Sequence, residues 1–267
     1  MGLWTRRRLP HPFSVARLSR LSVRCRATWV YDNPAMPFRL IRAITLDLDD
    51  TLWPIAPTIA AAEADLRAWL TQHAPLTAAA FDERSLRELR ARVGRDHPEH
   101  AHDLSALRLK TLQRAISHAG EASHLADAAF EIFLAARQRV EFFPEVRTAL
   151  ERLAARYPLY SLSNGNADLA RVGLAGLFKG SINARQCGYS KPDPRIFAAA
   201  CQLIGLEPAQ VLHVGDDFEA DVRGAQAAGM ATAWLRRDGT SLLTVPPEAG
   251  AATVIIDLDE LVRHLGC

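Results

Sequence analysis

Residues 43–52 read A-I-T-L-D-L-D-D-T-L. A short apolar run, Ile44 to Leu46, delivers Asp47, and Asp49 and Asp50 follow within three positions. Three carboxylates at the end of a buried strand repel one another unless a cation or a proton relieves them. A fold tolerates that repulsion at the carboxyl end of a strand when the site binds a ligand there. The decapeptide therefore implies a buried strand with chemistry at its end.

Downstream, the sequence changes texture twice. Residues 53–142 carry apolar side chains at three- and four-residue spacing, which predicts helices over Ile59–Thr71, Asp82–Val93, Leu104–Ala119 and Ser123–Val140. Asp103 and Ser123 are expected N-caps and Gly120 an expected C-terminal stop. After residue 143, short apolar runs alternate with helical stretches. Strands are expected at Ala43–Asp47, Leu159–Ser163, Ser181–Ala184, Val211–Gly215, Ala231–Leu235 and Thr253–Ile256. Helices are expected at Pro144–Arg156, Pro194–Gly205 and Ala220–Ala228. Strands joined by helical crossovers predict an α/β protein with a Rossmann-like, doubly wound parallel sheet. The core is then residues 36–52 and 143–267, and 53–142 is an all-helical insertion after the first strand.

Ligands in such sheets sit at the carboxyl ends of the strands. The first strand ends in Asp47 and the second in Ser163-Asn164-Gly165. Lys191 follows the third, and the fourth ends in Gly215-Asp216-Asp217 with Asp221 a turn later. Taken singly, Asp49 and Asp50 fit a turn, and Asp216-Asp217 fit a helix start. Lys191 is more telling, because of 32 basic residues only Lys110, Lys179 and Lys191 are lysines. Where surface charge suffices this chain uses arginine, so a lysine at a strand end points to a compact point charge. Together the four ends offer a carboxylate nucleophile, hydroxyl and amide donors, one cation and an acidic cluster for a hard metal. That inventory suits phosphoryl transfer.

The four segments resemble the motifs of the haloacid dehalogenase-like (HAD) hydrolases: Asp47-Leu48-Asp49-Asp50-Thr51, Ser163, Lys191, and Gly215-Asp216-Asp217 with Asp221. The resemblance covers about residues 40–260. It implies that Asp47 is the nucleophile, forming an aspartyl-phosphate, and that Asp49 is the acid–base group. It also implies a Mg²⁺ held by Asp47, the Asp49 carbonyl and Asp216, with Asp217 or Asp221 orienting the metal waters or Lys191. Ser163 and the Asn164 amide would bind phosphoryl oxygens, and Lys191 would neutralise charge. The position of the insertion resembles the branch with a helical cap, hinged near Thr51–Pro57 and Glu141–Pro144. Dehalogenases of that branch lack the second acidic residue, so Asp49 favours a phosphatase. Further runs, S-N-G-N-A, L-H-V-G-D-D and the cap segment H-D-L-S-A-L-R, are similar to bacterial FMN hydrolase / 5-amino-6-(5-phospho-D-ribitylamino)uracil phosphatases of riboflavin biosynthesis. That likeness would place His102 and Arg108 near the distal half of the substrate. Phosphoglycolate and other sugar-phosphate phosphatases share the same core, and a 2-haloacid dehalogenase or a non-catalytic phosphate-binding protein are further alternatives.

Composition sets the frame. Hydrophobic content of 49% with 23% charged residues fits an ordinary globular protein. No apolar run has the length of a membrane span, so no membrane partner is expected. The net charge of +2 is uneven: residues 1–35 hold Arg6, Arg7, Arg8, Arg17, Arg20, Arg24 and Arg26 against Asp32 alone. The basic charge thus belongs to a tail, expected to be a disordered extension, with Met36 an alternative start. The body gives no reason to expect a nucleic-acid partner. Cys25, Cys187, Cys201 and Cys267 are scattered without metal spacing, as in a reduced, cytoplasmic protein. Monomer and homodimer both fit this composition.

Overall fold

The computed structural model describes residues 38–237, 250 and 252–267. The basic tail, its expected disorder and the Met36 start lie outside these residues. The described chain carries a six-stranded, all-parallel sheet in the order β3-β2-β1-β4-β5-β6. The strands are β1 (Ala43–Leu46), β2 (Leu159–Ser163), β3 (Phe178–Asn183), β4 (Val211–Gly215), β5 (Ala231–Leu235) and β6 (Thr253–Ile255). β1 lies at the centre, pairing with β2 on one side and β4 on the other. Every residue of β1 and β4 is buried. A strand covered on both faces needs a continuous apolar run, which is why A-I-T-L reads as it does.

Between β1 and β2 come α1 (Ile55–His73), α2 (Pro75–Ala80), α3 (Glu83–Asp96), α4 (Leu104–His118), α5 (Leu125–Arg137) and α6 (Val146–Ala154). The later helices are α7 (Ala184–Cys187), α8 (Pro194–Ile204), α9 (Gly224–Ala227) and α10 (Leu258–Leu265). Period-two alternation sends Ile44, Leu46, Leu212 and Val214 into one apolar layer with α6 and α10. Leu162, Ile182 and Val211 join the opposite layer, with Phe197 of α8 and Ala225 of α9. The insertion has its own cluster, in which Ala62, Leu66 and Leu70 of α1 pack with Leu112 and Ile116 of α4 and Phe130 and Phe133 of α5. Removing one such buried leucine costs about 2–5 kcal/mol.

Several boundaries differ from expectation for identifiable reasons. α1 starts at Ile55, four residues early, because Pro57 falls in the first turn, where a proline costs no hydrogen bond. Asp50 opens that helix: its φ is 58° and its Oδ1 accepts from Ile55 N at 2.9 Å. Asp103 caps α4 as expected, accepting from Ala106 N. Gly120 closes it at φ 75°, with Glu121 N bonded to Ile116 O and Gly120 N to Ser117 O. This is the paired-bond ending that favours glycine. Ser123 does not cap α5, which begins at Leu125 with no side-chain cap. α2 was not anticipated, and the expected helix at Ala220–Ala228 is a π-helical turn, Phe218–Arg223, running into α9.

Candidate active site

The register of the sheet assembles the site. Asp47 follows β1 directly, and its N–H donates to Val214 O at 2.8 Å, pinning it beside the end of β4. Gly215 ends β4 and must lack a side chain: a Cβ there would lie 2.2 Å from the Asp221 carboxyl. The sharp exit turns Asp216 and the next helical turn back over the strand ends. A cleft of about 240 Å³ results, lined by Asp47, Asp49, Ser163, Lys191, Asp216 and Asp221 among others.

Lys191 is 5% exposed and lies between two carboxylates, its Nζ 2.6 Å from Asp47 Oδ1 and 2.6 Å from Asp221 Oδ1. The side chain of Asn164 holds the lysine from behind. Its Oδ1 accepts from Lys191 N at 2.7 Å, and its Nδ2 donates to Lys191 O at 3.0 Å. Ser163 Oγ accepts from Gly165 N at 3.0 Å and is buried beside the cleft. The Asn164 side chain is thus committed to Lys191, so an amide contact from Asn164 to a phosphoryl group would come from its main chain.

Two carboxylates around one ammonium leave a net negative charge in a buried site. Asp221 takes the ionised role: despite burial, Lys191 and His213 hold its carboxyl well below the usual range, and Asp217 N donates to Oδ2 at 3.0 Å. Asp47 carries the excess. Burial, opposed by Lys191 and aided by Asp221 and Asp49, pushes its pKa up to about 8. Burial likewise raises Asp216 to about 6, with Asp221 and Asp50 adding to the rise. The site therefore binds protons where it lacks positive charge. Carboxylate oxygens of Asp47, Asp216 and Asp221 lie within 4.8 Å of one another, a set of hard oxygen donors that fits a divalent cation. Thr51 Oγ1 steers Asp216 by donating to Oδ1 at 2.9 Å, and Trp234 Nε1 donates to the Asp216 carbonyl at 2.9 Å.

Asp217 also lines the cleft, but it is exposed and its carboxylate caps the π-helical turn, accepting from Ala220 N at 2.8 Å. Of the two acids, Asp221 is the one grouped with Asp47 and Asp216. Asp49 accepts from Trp53 Nε1 at 2.9 Å and from Arg137 Nη2 at 2.6 Å to each oxygen. Arg108 is turned into the helical layer. It pairs with Glu63 at 2.7 Å, and its guanidinium carbon lies 3.4 Å from the Phe133 ring centroid. Burial lowers its pKa to about 10. His102 is not among the residues lining the cleft. From the same segment, the structure places Leu104 in the cleft wall and Ser105 on Asn166, with Asn166 Nδ2 donating to Ser105 Oγ at 3.0 Å.

Two side chains in contact with the site have no counterpart in the sequence reading. Arg137 sits seven residues after Phe130 and four after Phe133, so a charged residue on the apolar face of a helix was the available signal. His213 lies mid-strand in β4 with Nδ1 2.9 Å from Thr45 Oγ1 and Nε2 3.0 Å from Asp221 Oδ1. Burial lowers its pKa, so the neutral ring donates to Asp221 and accepts from Thr45.

Gly165 closes the site from the β2 side. A Cβ there would lie 2.4 Å from Asp49 Oδ2 and 3.2 Å from Arg137 Nη2. Gly165→Ala is expected to displace the Asp49 carboxylate and cut turnover by about 10²-fold, the effect of a misplacement of roughly 1 Å in a catalytic cleft. Steady-state kinetics beside a melting curve checks it. An alanine variant with full activity would mean the Asp49 position is unimportant.

A parallel sheet with a carboxylate at the end of its central strand, a buried lysine and an acidic cluster together form the site of a hydrolase. Residues 41–229 match the model of the haloacid dehalogenase-like hydrolases, and the chain belongs to that family. It is 33% identical over 211 residues to 5-amino-6-(5-phospho-D-ribitylamino)uracil phosphatase YigB of Escherichia coli (strain K12), covering 78% of this chain and 88% of that protein. It is 30% identical over 208 residues to glyceraldehyde 3-phosphate phosphatase of Methanopyrus kandleri, covering 74% and 85%. Among solved structures, a 2-haloacid dehalogenase from Pseudomonas syringae pv. Tomato DC3000 superposes with a TM-score of 0.77 at 39% identity, over 85% of this chain and 98% of that one. Among the described residues no helix is long and apolar enough to cross a membrane.

Proposed function

We propose that the protein is a Mg²⁺-dependent phosphatase of a small phosphorylated metabolite, acting through an aspartyl-phosphate on Asp47. The observation that carries this reading is Asp47 held by Lys191 at 2.6 Å with Asp49 beside it in the same cleft. An Asp47 oxygen attacks phosphorus as the bond to the leaving oxygen breaks, and Asp49 gives that oxygen its proton. Asp49, now a carboxylate, takes a proton from the water that attacks the aspartyl-phosphate. Inorganic phosphate leaves and Asp47 is regenerated. Lys191 and the Ser163 hydroxyl face the charge that builds on the phosphoryl oxygens. Asp47, Asp216 and the Asp49 carbonyl would hold the cation, with Asp221 alongside; when bound it supplies positive charge to the transferring group.

Metal binding needs ionised carboxylates, so protons compete with it. Raised values for Asp47 (about 8) and Asp216 (about 6) mean that the metal-free fold is favoured by protonation and loses that stability as pH rises through them. The Mg²⁺-induced rise in Tm is expected to grow between pH 5.5 and 8.5. Thermal melts with and without Mg²⁺ across that range check it, and an increment independent of pH would contradict the cation site.

Residues 53–142 serve as a cap that excludes bulk water during transfer and admits one water for hydrolysis. Its two connections touch: Phe143 N donates to Leu52 O at 3.1 Å, and Trp53 packs edge-on against Phe142. A second cleft of about 610 Å³ adjoins the first at Gly165 and includes Arg171, Lys179 and Arg185 in its walls. That basic, polar volume suits the remainder of a phosphorylated, hydroxyl-rich substrate. The similarity to YigB over most of both chains supports 5-amino-6-(5-phospho-D-ribitylamino)uracil as the substrate, with FMN the companion candidate from the sequence resemblance. Phosphate release from a panel of these two, glyceraldehyde 3-phosphate, phosphoglycolate and simple sugar phosphates, run with Mg²⁺ and with EDTA, tests it. A wide preference for sugar phosphates would remove the flavin-pathway reading.

The dehalogenase among the structural neighbours favours a second reading. Displacement of a halide leaves an anion that needs no proton, so Asp49 would be idle in that chemistry. Halide release from 2-haloacids in EDTA would support it.

A further inference from the structure

The buried face of α5 is formed by Ala126, Ala129, Phe130, Phe133, Ala136 and Arg137. Arg137 is its one charged member and is 1% exposed. Its Nη2 lies 2.6 Å from both oxygens of Asp49, and its Nε donates to Asn166 Oδ1 at 2.8 Å. Its Nη1 is buried and, among the described residues, has no hydrogen-bond partner. An unsatisfied buried donor costs about 1–3 kcal/mol, and an apolar side chain beside Phe133 would avoid that cost. Stability alone does not account for an arginine here.

The contacts of Arg137 run on through both layers. Asn166 follows β2, and its Nδ2 donates to Ser105 Oγ at the start of α4. Gln138, the next residue after Arg137, donates to Asn166 O at 3.3 Å and accepts from Asp168 N at 2.8 Å. Arg137 therefore reaches Asp49 only when α4 and α5 are seated on the loop after β2. With Trp53 Nε1 on Oδ1 and Gly165 leaving no room for a side chain near Oδ2, the guanidinium fixes the direction of the carboxylate.

We propose that Arg137 is the positioning residue for Asp49, and that the Ser105–Asn166–Arg137 chain makes the aim of Asp49 depend on a seated cap. The proposal rests on the reading of Asp49 as the acid–base group. Positioning matters in both chemical steps. Proton delivery to the leaving oxygen requires Asp49 to face it, and activation of the hydrolytic water requires the same carboxylate to face the aspartyl-phosphate. A nitrophenolate leaves without a proton, so only the second step depends on Asp49 when p-nitrophenyl phosphate is the substrate.

The test compares Arg137→Met with the unaltered protein on p-nitrophenyl phosphate and glycerol 3-phosphate, in Mg²⁺. With glycerol 3-phosphate, kcat is expected to fall by about 10²-fold with little change in KM, the range spanned by general acid–base catalysis. With p-nitrophenyl phosphate, a burst of about one equivalent of nitrophenolate is expected before a slow steady state, because phosphoryl transfer survives and hydrolysis of the intermediate does not. Added methylguanidinium should restore part of the lost kcat, a response that damaged packing would not show. A variant with unaltered kcat on both substrates, or an equal loss on both without burst or rescue, overturns the proposal. Should Arg137→Met not fold, Asn166→Ala carries the same comparison, with a kcat loss of about 10-fold on glycerol 3-phosphate expected and none overturning it. Asp49→Asn separates the two claims. If it retains turnover, the acid–base reading fails and the positioning role with it. If it is inactive while Arg137→Met matches the unaltered protein, only the positioning role fails.

Discussion

Asp47→Asn is expected to remove turnover by about 10⁴-fold or more while leaving the fold intact, as loss of a covalent nucleophile does. An asparagine still offers an oxygen to Lys191 but carries no charge. The wild-type carboxyl has its pKa pushed up to about 8 by burial, with Asp221 adding repulsion. Above the unfolded value near 3.8 that group therefore costs stability in the metal-free protein, increasingly so up to pH 8. The variant should consequently melt higher than the wild type at pH 8 without metal, and the difference should shrink towards pH 4, where Asp47 is protonated anyway. Enzyme assay and melts at the two pH values check both halves. A variant that is inactive because it is unfolded would contradict this account of the site.

Lys191→Met should act in the opposite sense. The ammonium is 5% exposed and within 2.6 Å of Asp47 and Asp221. Those two carboxylates raise its pKa, outweighing the effect of burial. Removing the charge leaves Asp47 and Asp221 in the same buried space with, among the described residues, only His213 and backbone donors beside them. Breaking a buried pair in this way typically costs about 3–5 kcal/mol. At about 2–4 °C per kcal/mol for a chain of this size, Tm should fall by roughly 10 °C. Added Mg²⁺ should recover part of that stability and none of the activity, because the cation replaces the charge but not the donor to the phosphoryl group. Unchanged Tm in the metal-free variant would show that Lys191 does not balance the acids.

What could be read from sequence follows the physics of each element. β1, β2, β4 and β5 are short apolar runs bounded by polar residues, and their ends fall within one residue of expectation. β3 begins three residues earlier than read, at Phe178, because Lys179 and Gly180 on an edge strand dilute the apolar signal. The strand-end residues were legible because a parallel sheet brings successive carboxyl ends together whatever lies between them. Side-chain direction was not legible. Asp216, Asp217 and Asp221 are chemically alike in a sequence, and only the tight exit from Gly215 turns Asp221 inward and leaves Asp217 as a cap. Arg108 shows the converse. The resemblance alone would place its segment near the substrate, and helical phase turns Arg108 towards Glu63 and Phe133 and gives the cleft Leu104 instead. Arg137 joins a helix to a strand end 88 residues earlier, a contact that no local pattern encodes.

The central claim is that Asp47 carries the phosphoryl group between substrate and water. Its most direct test is to mix the Asp49→Asn variant with p-nitrophenyl phosphate and Mg²⁺, quench in acid within seconds, digest with pepsin and locate the added mass. One phosphoryl group is predicted on the peptide containing Asp47, at close to one equivalent per chain and absent from Asp47→Asn. Phosphate on any other residue, or release of nitrophenolate without a phosphorylated peptide, would contradict the mechanism.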